Sequence, residues 1–268
     1  MKNIFFLVVG FMFVITNGCV KNESAGATLI TQKDDVFINT LQKYPNVVIT
    51  TLGNQEIELR TNDCRPSEDD ECDEYTISNF PVDMDGCEVL VTVNVKVCID
   101  PVTGKVIFAG FWGFNYTMGS GPDCISFVQE WSDLYMDLKY TDLYTSMNTF
   151  YKELTRKFEL EFISTLSVQI DNCPSYTNLG QFYEADCQQL CATLVNSTGD
   201  PFYNISRVKC GIGCCRRTTA YCRRPNGTLE QIVTGAGPWT NPPCDPITVS
   251  CNGTIVPVVG CQDPCERI

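Results

Sequence analysis

The sequence predicts an α+β fold: an antiparallel β-sheet covered by two helices, followed by a disulfide-rich module of β-hairpins. Residues 88–99 alternate apolar and polar side chains, whereas residues 126–166 place apolar side chains at every third or fourth position. After Pro174 the cysteines become dense, and Pro and Gly recur. A period of two is typical of a half-buried strand and a period near 3.6 of an amphipathic helix, so strands are followed by helices and then by a cross-linked module.

The clearest predicted strand covers residues 88–99. Its valines occupy every second position, which places them together on one face of a pleated strand. Residues 100–104 have turn composition, and residues 105–116 return as an aromatic-rich strand, so the two strands are expected to form a hairpin. Upstream, residues 46–51 and 56–60 flank a Gly-Asn pair and are also expected to form a hairpin.

Two helices are predicted after these strands. In the first, Ser126 and Gln129 have the spacing of a capping box, and apolar side chains over 128–138 share a face. In the second, apolar and aromatic side chains recur over 147–166 and predict a helix packed on the core. The opposite face of the second helix carries the charged residues Lys152, Glu153, Arg156, Lys157 and Glu159.

The cysteine-rich part contains two predicted hairpins. Each has an Asn-Gly pair between strand-like segments, the strongest two-residue hairpin signal because both positions tolerate positive φ. The segments are 218–222 with 229–234, and 247–251 with 254–258. Helical periodicity persists in this part only over 182–194, where a short helix is expected.

The first residues have the three parts of a secretory signal. Lys2 supplies a positive charge, residues 4–15 are uninterruptedly apolar, and small or polar residues follow at 16–18. The apolar run is about a dozen residues long, whereas a membrane-spanning helix needs about twenty. A removable signal is therefore favoured over a permanent transmembrane anchor.

The end of this signal resembles a loose bacterial lipobox, with Gly18 directly before Cys19, although Asn17 departs from the usual small residue. The resemblance implies cleavage before Cys19 and acylation of its thiol and new amino group. Val20, in place of an aspartate, implies by the same resemblance transfer beyond an inner membrane to an outer membrane or cell surface. The alternative is ordinary cleavage after Gly18, which releases a soluble product.

The predicted organisation is a signal peptide over 1–18, a lipid-anchored tether over 19–43, an α+β domain over 44–178 and a cysteine-rich β domain over 179–268. The chain has 17 cysteines, an odd number, and acylation of Cys19 leaves sixteen that can pair. Six precede the boundary and ten follow it, so each domain is expected to close its own bridges. The predicted disulfide cysteines are Cys64, Cys72, Cys87, Cys98, Cys124, Cys173, Cys187, Cys191, Cys210, Cys214, Cys215, Cys222, Cys244, Cys251, Cys261 and Cys265.

This cysteine content indicates an oxidising compartment, in the cell envelope or outside the cell. The chain has no histidine, and its closest cysteine spacings are not paired C-x-x-C knuckles. Disulfides are therefore favoured over a zinc site.

A cluster of positive charge is the first candidate binding site, in a chain whose net charge is −13. Its residues are Arg207, Lys209, Arg216, Arg217, Arg223 and Arg224. Because arginine suits carboxylates and phosphates, the expected partner is an anionic glycan, a lipid head group or an acidic protein. The alternative is that these arginines pair with the protein's own acidic loop or solubilise an edge hairpin. The overall negative charge disfavours nucleic acid.

An acidic loop is the second candidate site. Clustered carboxylates are ligands for calcium, and the candidate ligands are Asp69, Asp70, Glu71, Asp73, Asp83 and Asp85. The spacing lacks the twelve-residue EF-hand pattern, and a solvated acidic loop is the favoured interpretation. No cofactor other than calcium is suggested by the sequence.

The sequence favours a non-enzymatic role. The lack of histidine excludes Ser-His-Asp and Cys-His catalysis, and no G-x-S-x-G or P-loop motif occurs. We therefore expect an exported, lipid-anchored cell-envelope protein with a binding or structural role. One alternative is a secreted carboxylate-based hydrolase acting on polysaccharide. Another is a packing subunit of a surface assembly that uses the aromatic strand around Phe111, Trp112 and Phe114.

Overall fold

The computed structural model describes residues 41, 43–52, 64, 72–166, 168–185, 188–196, 202–209 and 214–240. They form a mixed α+β fold with a curled β-sheet and two helices. The strands are β1 (Val48–Thr51), β2 (Cys72–Met84), β3 (Cys87–Ile99), β4 (Val106–Met118), β5 (Thr177–Ala185), β6 (Gln188–Asn196), β7 (Phe202–Lys209), β8 (Cys214–Arg223) and β9 (Leu229–Thr240). The helices are α1 (Pro122–Met136) and α2 (Tyr140–Thr165).

Seven strands form the main sheet, in the order β1-β2-β3-β4-β5-β8-β9, and β6 pairs with β7 in a separate two-stranded sheet. All neighbours are antiparallel except β4 and β5, which are parallel. Parallel neighbours need a long crossover, and both helices lie in the connection between these two strands. The predicted hairpins β3–β4 and β8–β9 are confirmed.

The core lies between the sheet and α2. The alternating valines of β3 are fully buried, as the sequence pattern predicts. Phe158 of α2 makes edge-to-face contacts with Phe80 of β2 and Phe111 of β4, at ring-centroid distances of 5.4 and 5.5 Å. At the far end of the sheet, the Gln231 side chain of β9 donates a hydrogen bond to the Arg156 carbonyl of α2 at 3.2 Å. The sheet therefore curls around α2 and contacts it from both β2 and β9.

Helix α1 begins four residues earlier than the predicted capping box. Gly121 is the N-cap and Pro122 the first helical residue, whose fixed φ suits this position. Ser126 lies inside the helix and donates to the Asp123 carbonyl at 2.7 Å, so the capping role predicted for it is wrong. Leu138 lies beyond the helix with a positive φ of 58° and is largely exposed.

Strand β1 pairs with β2, and residues 56–60, which were expected to form a hairpin with residues 46–51, lie outside the described residues. One assignment differs from the expectation. The short helix expected over 182–194 is wrong, because this segment forms β5 and β6. Its aromatic and β-branched residues suit a pleated surface, and pairing with β8 and β7 determines their conformation. The hairpin predicted over 247–258 lies outside the described residues.

Four disulfides join cysteines that are both among the described residues: Cys64–Cys214, Cys72–Cys98, Cys87–Cys124 and Cys173–Cys222. Cys191 and Cys215 are disulfide-bonded as well. The other predicted bridge cysteines (Cys187, Cys210, Cys244, Cys251, Cys261 and Cys265) lie outside the described residues. Such a set of bridges indicates an oxidising, extracellular or envelope environment.

The expectation that each predicted domain closes its own bridges is wrong. Cys64–Cys214 and Cys173–Cys222 both cross the predicted boundary between residues 178 and 179. That boundary also falls inside β5, which belongs to the same sheet as β4. The cysteine count divides evenly there, but even numbers in each part do not determine which cysteines pair.

The predicted signal peptide and Cys19 lie outside the described residues. Within the predicted tether, Leu41 is 1% exposed and belongs to the hydrophobic core. Leu41 is therefore part of the folded domain rather than of a tether. In the part of the chain that is described, no helix is long and apolar enough to span a membrane.

Candidate ligand-binding site

A cavity of about 650 Å³ lies between strands β4 and β7, and we call it the β4–β7 cleft. Residues 113–118 of β4 with the following Gly119, and residues 204–207 of β7, line it in unbroken runs. Successive side chains of a strand point to opposite faces, so consecutive lining residues mean that the cleft lies along the edges of both strands. Trp131 of α1 and Tyr151 of α2 also line it, although only 2% and 3% of their surfaces are exposed.

Strand β7 is positioned by its contacts with α1. The backbone N–H of Tyr203 donates to the Ser132 hydroxyl at 3.1 Å, and the Tyr203 ring lies 4.7 Å from that of Tyr135. Ser132 is fully buried, which makes this contact part of the interior. The two-stranded β6–β7 sheet is thereby held against the helices, and residues 204–207 of β7 line the cleft.

The positive charge of the cleft comes from Arg207. Its guanidinium carbon lies 4.8 Å from the centre of the Tyr151 ring, and its Nη2 donates a hydrogen bond to Oδ1 of Asn148. Stacking on an aromatic face and a hydrogen bond to an amide both fix the plane of the guanidinium. The side chain is therefore held in position by α2 and partly withdrawn from water.

Tyr116 lies beside this charge. Burial raises the pKa of its hydroxyl, and the Arg207 guanidinium partly offsets that increase. Its ring packs 5.8 Å from Phe150 and 6.4 Å from Tyr151. The hydroxyl stays protonated at neutral pH and keeps a donor next to the arginine.

Trp131 is fixed by a short relay of hydrogen bonds. Its indole N–H donates to the Ser146 hydroxyl at 3.1 Å, and that hydroxyl donates to the Glu130 carboxylate at 2.9 Å. The indole also makes an edge-to-face contact with Phe150 at 5.2 Å. These contacts join α1 to α2 and hold the aromatic surface in one orientation.

The rest of the lining is polar but uncharged. Asn115, Asn204 and Ser206 are exposed, and Gln188 also lines the cleft. Among the described lining residues, none is an aspartate or glutamate. One cation, several amides and hydroxyls, and the small exposed parts of apolar and aromatic side chains suit recognition of an anion attached to an apolar or ring-shaped body.

The Cys64–Cys214 disulfide closes one side of the cleft. Both cysteines are buried in a small cluster with Trp112 and Tyr183, and Cys64 and Tyr183 line the cavity. Burial raises the pKa of the Tyr183 hydroxyl, which donates a hydrogen bond to Oε1 of Gln181. The bridge joins residues 150 positions apart and fixes the segment at Cys64 to the start of β8.

The structure does not bring the six predicted cationic residues together. Arg207 lies in the cleft, and Arg216 lies beside Tyr183, its cross-strand partner and hydrogen-bond partner. Arg223 and Arg224 lie at the other end of β8, about 23 Å along the strand from Arg216. The Lys209 side chain is outside the described residues. Among the described side chains of this cluster, Arg207 and Arg216 therefore remain near a common site.

Arg217 is not a contact residue at the surface, contrary to the prediction. Its side chain is 0% exposed, and Nη2 donates to Oε1 of Glu159 on α2 at 2.6 Å. The hydroxyls of Thr219 and Tyr221 each donate to Oε2 of Glu159 at 3.1 Å. Burial and the Glu159 charge raise the pKa of Tyr221 well above its usual value. Glu159, predicted on the charged face of the helix, is instead the buried acceptor of this network.

The arginine also stacks on an aromatic ring within the core. Its guanidinium lies 5.1 Å from the Phe182 ring, and Nη1 donates to the Thr155 hydroxyl at 3.3 Å. Because a buried charge is costly unless paired and hydrogen-bonded, these contacts make the network a structural link between α2 and β8.

The described calcium candidates do not form one site. Asp73 and Asp83 lie ten residues apart in β2, which separates them by about 30 Å, too far to share an ion. Asp83 accepts a hydrogen bond from the Gly86 N–H in the β2–β3 turn, and Asp85 pairs with Lys157 at 3.3 Å. The predicted joint site is therefore wrong for these residues. Asp69, Asp70 and Glu71 lie outside the described residues.

One other group of ligand-type side chains lies close together, Cys173, Cys222 and Glu230. The two cysteines form a disulfide and offer no thiolate. The Glu230 carboxylate accepts hydrogen bonds from Arg224 and Tyr176, which lower its pKa. This group is explained by its own protein contacts.

The aromatic strand residues Phe111, Trp112 and Phe114 are buried, so they do not form an exposed packing surface. Tyr116, Trp131 and Tyr151 were not predicted as site residues, since aromatic residues at helical or strand spacing usually belong to a core. The available signal was their chemistry: tyrosine and tryptophan carry a polar group that needs a partner at the edge of a core.

In comparisons with protein-family models, with curated proteins and with solved structures, no match to this chain was found.

Proposed function

We propose that this protein is an exported, non-enzymatic binding protein of the cell envelope, and that the β4–β7 cleft binds an anionic ligand with an apolar or ring-shaped body. The observation that carries the proposal is Arg207, oriented by Asn148 and Tyr151 inside a cavity of about 650 Å³. Export is supported by the signal-like first residues and by the disulfides.

Pre-orientation favours binding at this position. A ligand anion that meets a fixed guanidinium does not have to order a flexible side chain, and a hydrogen bond to a charged group contributes about 1.5–3 kcal/mol. The volume lies within the range of about 300–1,000 Å³ typical of small-molecule sites. Because the chain carries a net charge of −13, the arginine provides local selectivity for an anion that the protein as a whole would repel.

The binding proposal is tested with a thermal-shift screen of carboxylates, sulfonates and phosphates on aromatic or sugar bodies, beside their neutral isosteres. Affinities are then measured for Arg207→Gln and for Arg156→Gln, an exposed arginine on α2 outside the cleft. We expect Arg207→Gln to lower the affinity about tenfold to a hundredfold and Arg156→Gln to leave it unchanged. Equal binding of charged and neutral ligands, or equal losses in both variants, would contradict the proposal.

We also propose that Cys19 carries a lipid anchor. An N-terminal acylated cysteine would add acyl mass to the mature protein, and reduction would then expose sixteen thiols rather than seventeen. Intact mass with and without reduction and alkylation tests both statements. An N-terminus at Cys19 without acyl mass would contradict the anchor and leave the cleft proposal standing.

A further inference from the structure

We infer that the corner between α1 and α2 docks a segment of another protein that presents apolar side chains flanked by Lys or Arg. We call this surface the corner patch. Its residues are Tyr135 at the end of α1, Leu138 in the turn, Tyr140 at the start of α2, Leu194 of β6 and Tyr203 of β7. The inference goes beyond the proposed function and is independent of the β4–β7 cleft.

Three tyrosines form the aromatic part of the corner patch. The Tyr135 ring lies 4.7 Å from the Tyr203 ring and 6.0 Å from the Tyr140 ring. All three side chains are half-buried, and no hydrogen bond joins their hydroxyls to another described residue. A packed tyrosine with an available hydroxyl offers apolar contact area and a polar group together, which is why tyrosine is enriched at protein interfaces.

Two exposed leucines extend this aromatic surface. Leu138 is 70% exposed, and its N–H donates to the Tyr135 carbonyl at 3.1 Å, which fixes the turn beside the ring cluster. Leu194 is 44% exposed and is the cross-strand partner of Tyr203. Directly opposite residues of an antiparallel pair project to the same face of the sheet, so Leu194 lies on the face that carries the Tyr203 ring. Exposed apolar side chains grouped around aromatic rings are typical of an interaction surface.

The backbone conformation of Leu138 is a second, independent observation. Its φ is 58°, in the left-handed region, and it directly follows the C-cap residue Asp137. Glycine is the usual residue at this position, because a Cβ is strained there. Leu138 is unfavourable in its backbone conformation and also exposes an apolar side chain to water. A residue that weakens the fold in both respects indicates a role in function.

Charge complementarity specifies the partner. Asp133 and Asp137 of the α1 end and Asp142 in the first turn of α2 are exposed beside the corner patch. Lys139 is the cation between them, and its Nζ pairs with Asp137 at 2.9 Å. The rim is therefore net negative, and a complementary partner carries Lys or Arg around an apolar centre. The same charges disfavour an anionic lipid surface, and a second copy of the chain would bring like charges together.

The position of the corner patch favours an external protein over the anchoring membrane. Helix α2 has 26 residues and is about 39 Å long, with the corner patch at its N-terminus. The first described residues pack near its other end. The Tyr44 ring lies 4.8 Å from Phe80, and Phe80 lies 6.0 Å from Phe162. A protein anchored through Cys19 therefore enters its folded body at the end of α2 that is remote from the corner patch.

The inference is tested with mature protein and three series of short synthetic peptides. All share the same apolar centre, and the flanking residues are Lys, Ser or Glu. We expect the Lys-flanked series to bind about tenfold more tightly than the Ser-flanked series at low salt, and this advantage to shrink at high salt. Equal binding of the Lys-flanked and Glu-flanked series would overturn the charge assignment, and binding of none of the peptides would overturn the inference.

Leu138→Gly separates docking from folding. Glycine adopts the left-handed conformation without strain, so this variant should unfold in urea at the wild-type midpoint or above it. Its affinity for the best Lys-flanked peptide should nevertheless fall about tenfold or more. The matched control is Val102→Ser in the β3–β4 turn, which removes an apolar side chain that is 91% exposed and should keep full affinity. Unchanged affinity in Leu138→Gly, or a lower unfolding midpoint, would overturn the assignment.

Asp142→Asn tests the acidic rim. We expect this variant to lose about threefold of the advantage of Lys over Ser flanks, because one carboxylate of the rim is neutralised. The matched control is Glu153→Gln, an exposed carboxylate about three turns further along α2, and it should keep the full advantage. Equal effects of the two variants would contradict a rim that acts locally.

Other occupants of the corner patch give different results. Binding to phosphatidylcholine vesicles that is lost in Leu138→Gly would identify a membrane surface. A concentration-dependent dimer that is weakened in Leu138→Gly would identify a second copy of the chain. Either result would overturn the inference. Anion binding in the β4–β7 cleft is measured separately, so failure at the corner patch leaves the proposed function standing.

Discussion

The buried contact between Arg217 and Glu159 allows a sharp prediction about stability. Both side chains are 0% exposed, and the bond between them is 2.6 Å long. Replacing Arg217 with Met keeps the apolar stem but leaves the Glu159 carboxylate buried with only the hydroxyls of Thr219 and Tyr221 as donors. Removal of one partner of a buried pair costs about 3–5 kcal/mol, and because two hydroxyl donors remain, we expect a loss of about 3 kcal/mol.

The reciprocal change isolates the other charge. Glu159→Gln leaves the Arg217 guanidinium with the Thr155 hydroxyl and the Phe182 ring, and we expect a loss of about 3–5 kcal/mol. The double variant Arg217→Met with Glu159→Met has no buried charge. Its cost is limited to the hydroxyls that lose their acceptor, about 1–3 kcal/mol each. At the middle of these ranges the single variants together lose about 7 kcal/mol and the double variant about 4 kcal/mol, so we expect the double variant to be less destabilised than the sum by about 3 kcal/mol.

The assay is urea unfolding with the disulfides intact, and the midpoint is compared at constant slope so that a change reflects stability rather than compactness. The matched control is Arg224→Gln, which breaks an Arg–Glu pair of similar length, 2.7 Å, at the surface. Exposed pairs contribute little, so this variant should unfold at the wild-type midpoint. Additive single variants, or a loss in Arg217→Met no larger than that in the control, would refute the account of the network.

Three further predictions concern other parts of the fold. Replacing Cys64 and Cys214 with Ala should lower the free energy of unfolding by about 2–5 kcal/mol in the same urea assay, because the bridge spans 150 residues; an unchanged midpoint would contradict this. Gly227 has a φ of 86° in the β8–β9 turn, so Gly227→Ala should destabilise the protein by about 1 kcal/mol or more, whereas a stabilised variant would refute the strain argument. The pKa of Tyr221 lies well above that of an unfolded tyrosine, so stability is fully present below about pH 10 and falls as the pH rises further. Stability measured against pH in Tyr221→Phe should show a smaller alkaline loss than wild type, and equal losses would contradict the assignment.

The regular strands could be predicted because their evidence is local. The alternating valines determine which face of β3 is buried, and the Asn-Gly pair at Asn226 predicts the turn between β8 and β9. The parallel pairing of β4 with β5 could not be predicted in the same way. It joins residues such as Phe111 and Phe182, and their contact depends on how two helices return the chain to the sheet.

The positive cluster shows where local reasoning failed. Arg216 and Arg217 are neighbours in sequence and looked equivalent, but adjacent residues of a strand point to opposite faces. The predicted strand began at residue 218, whereas β8 begins at Cys214. The predicted strand therefore excluded both arginines and gave no indication that one of them was buried. Glu159 was assigned to a solvated helix face because the partners that the structure describes for it come from β8, about sixty residues later.

The cleft was also beyond local reasoning. Its lining comes from β4, β7 and both helices. The contact between Arg207 and Tyr151 depends on the packing of β7 against α1. Arg207 was among the six cationic residues predicted from the sequence, but no local pattern indicated which of the six lies in a cavity. The sequence predicted a cationic patch of six residues, whereas the proposed site is centred on one of them, Arg207.

The central claim is that Arg207 in the β4–β7 cleft binds the anionic group of the ligand, and NMR titration of side-chain N–H signals tests it most directly. We predict that the Arg207 Nε–H and Trp131 indole N–H signals shift on addition of the best anion and yield the same Kd, while the Arg156 Nε–H signal does not move. Binding at that Kd with the Arg207 and Trp131 signals unchanged would contradict the account.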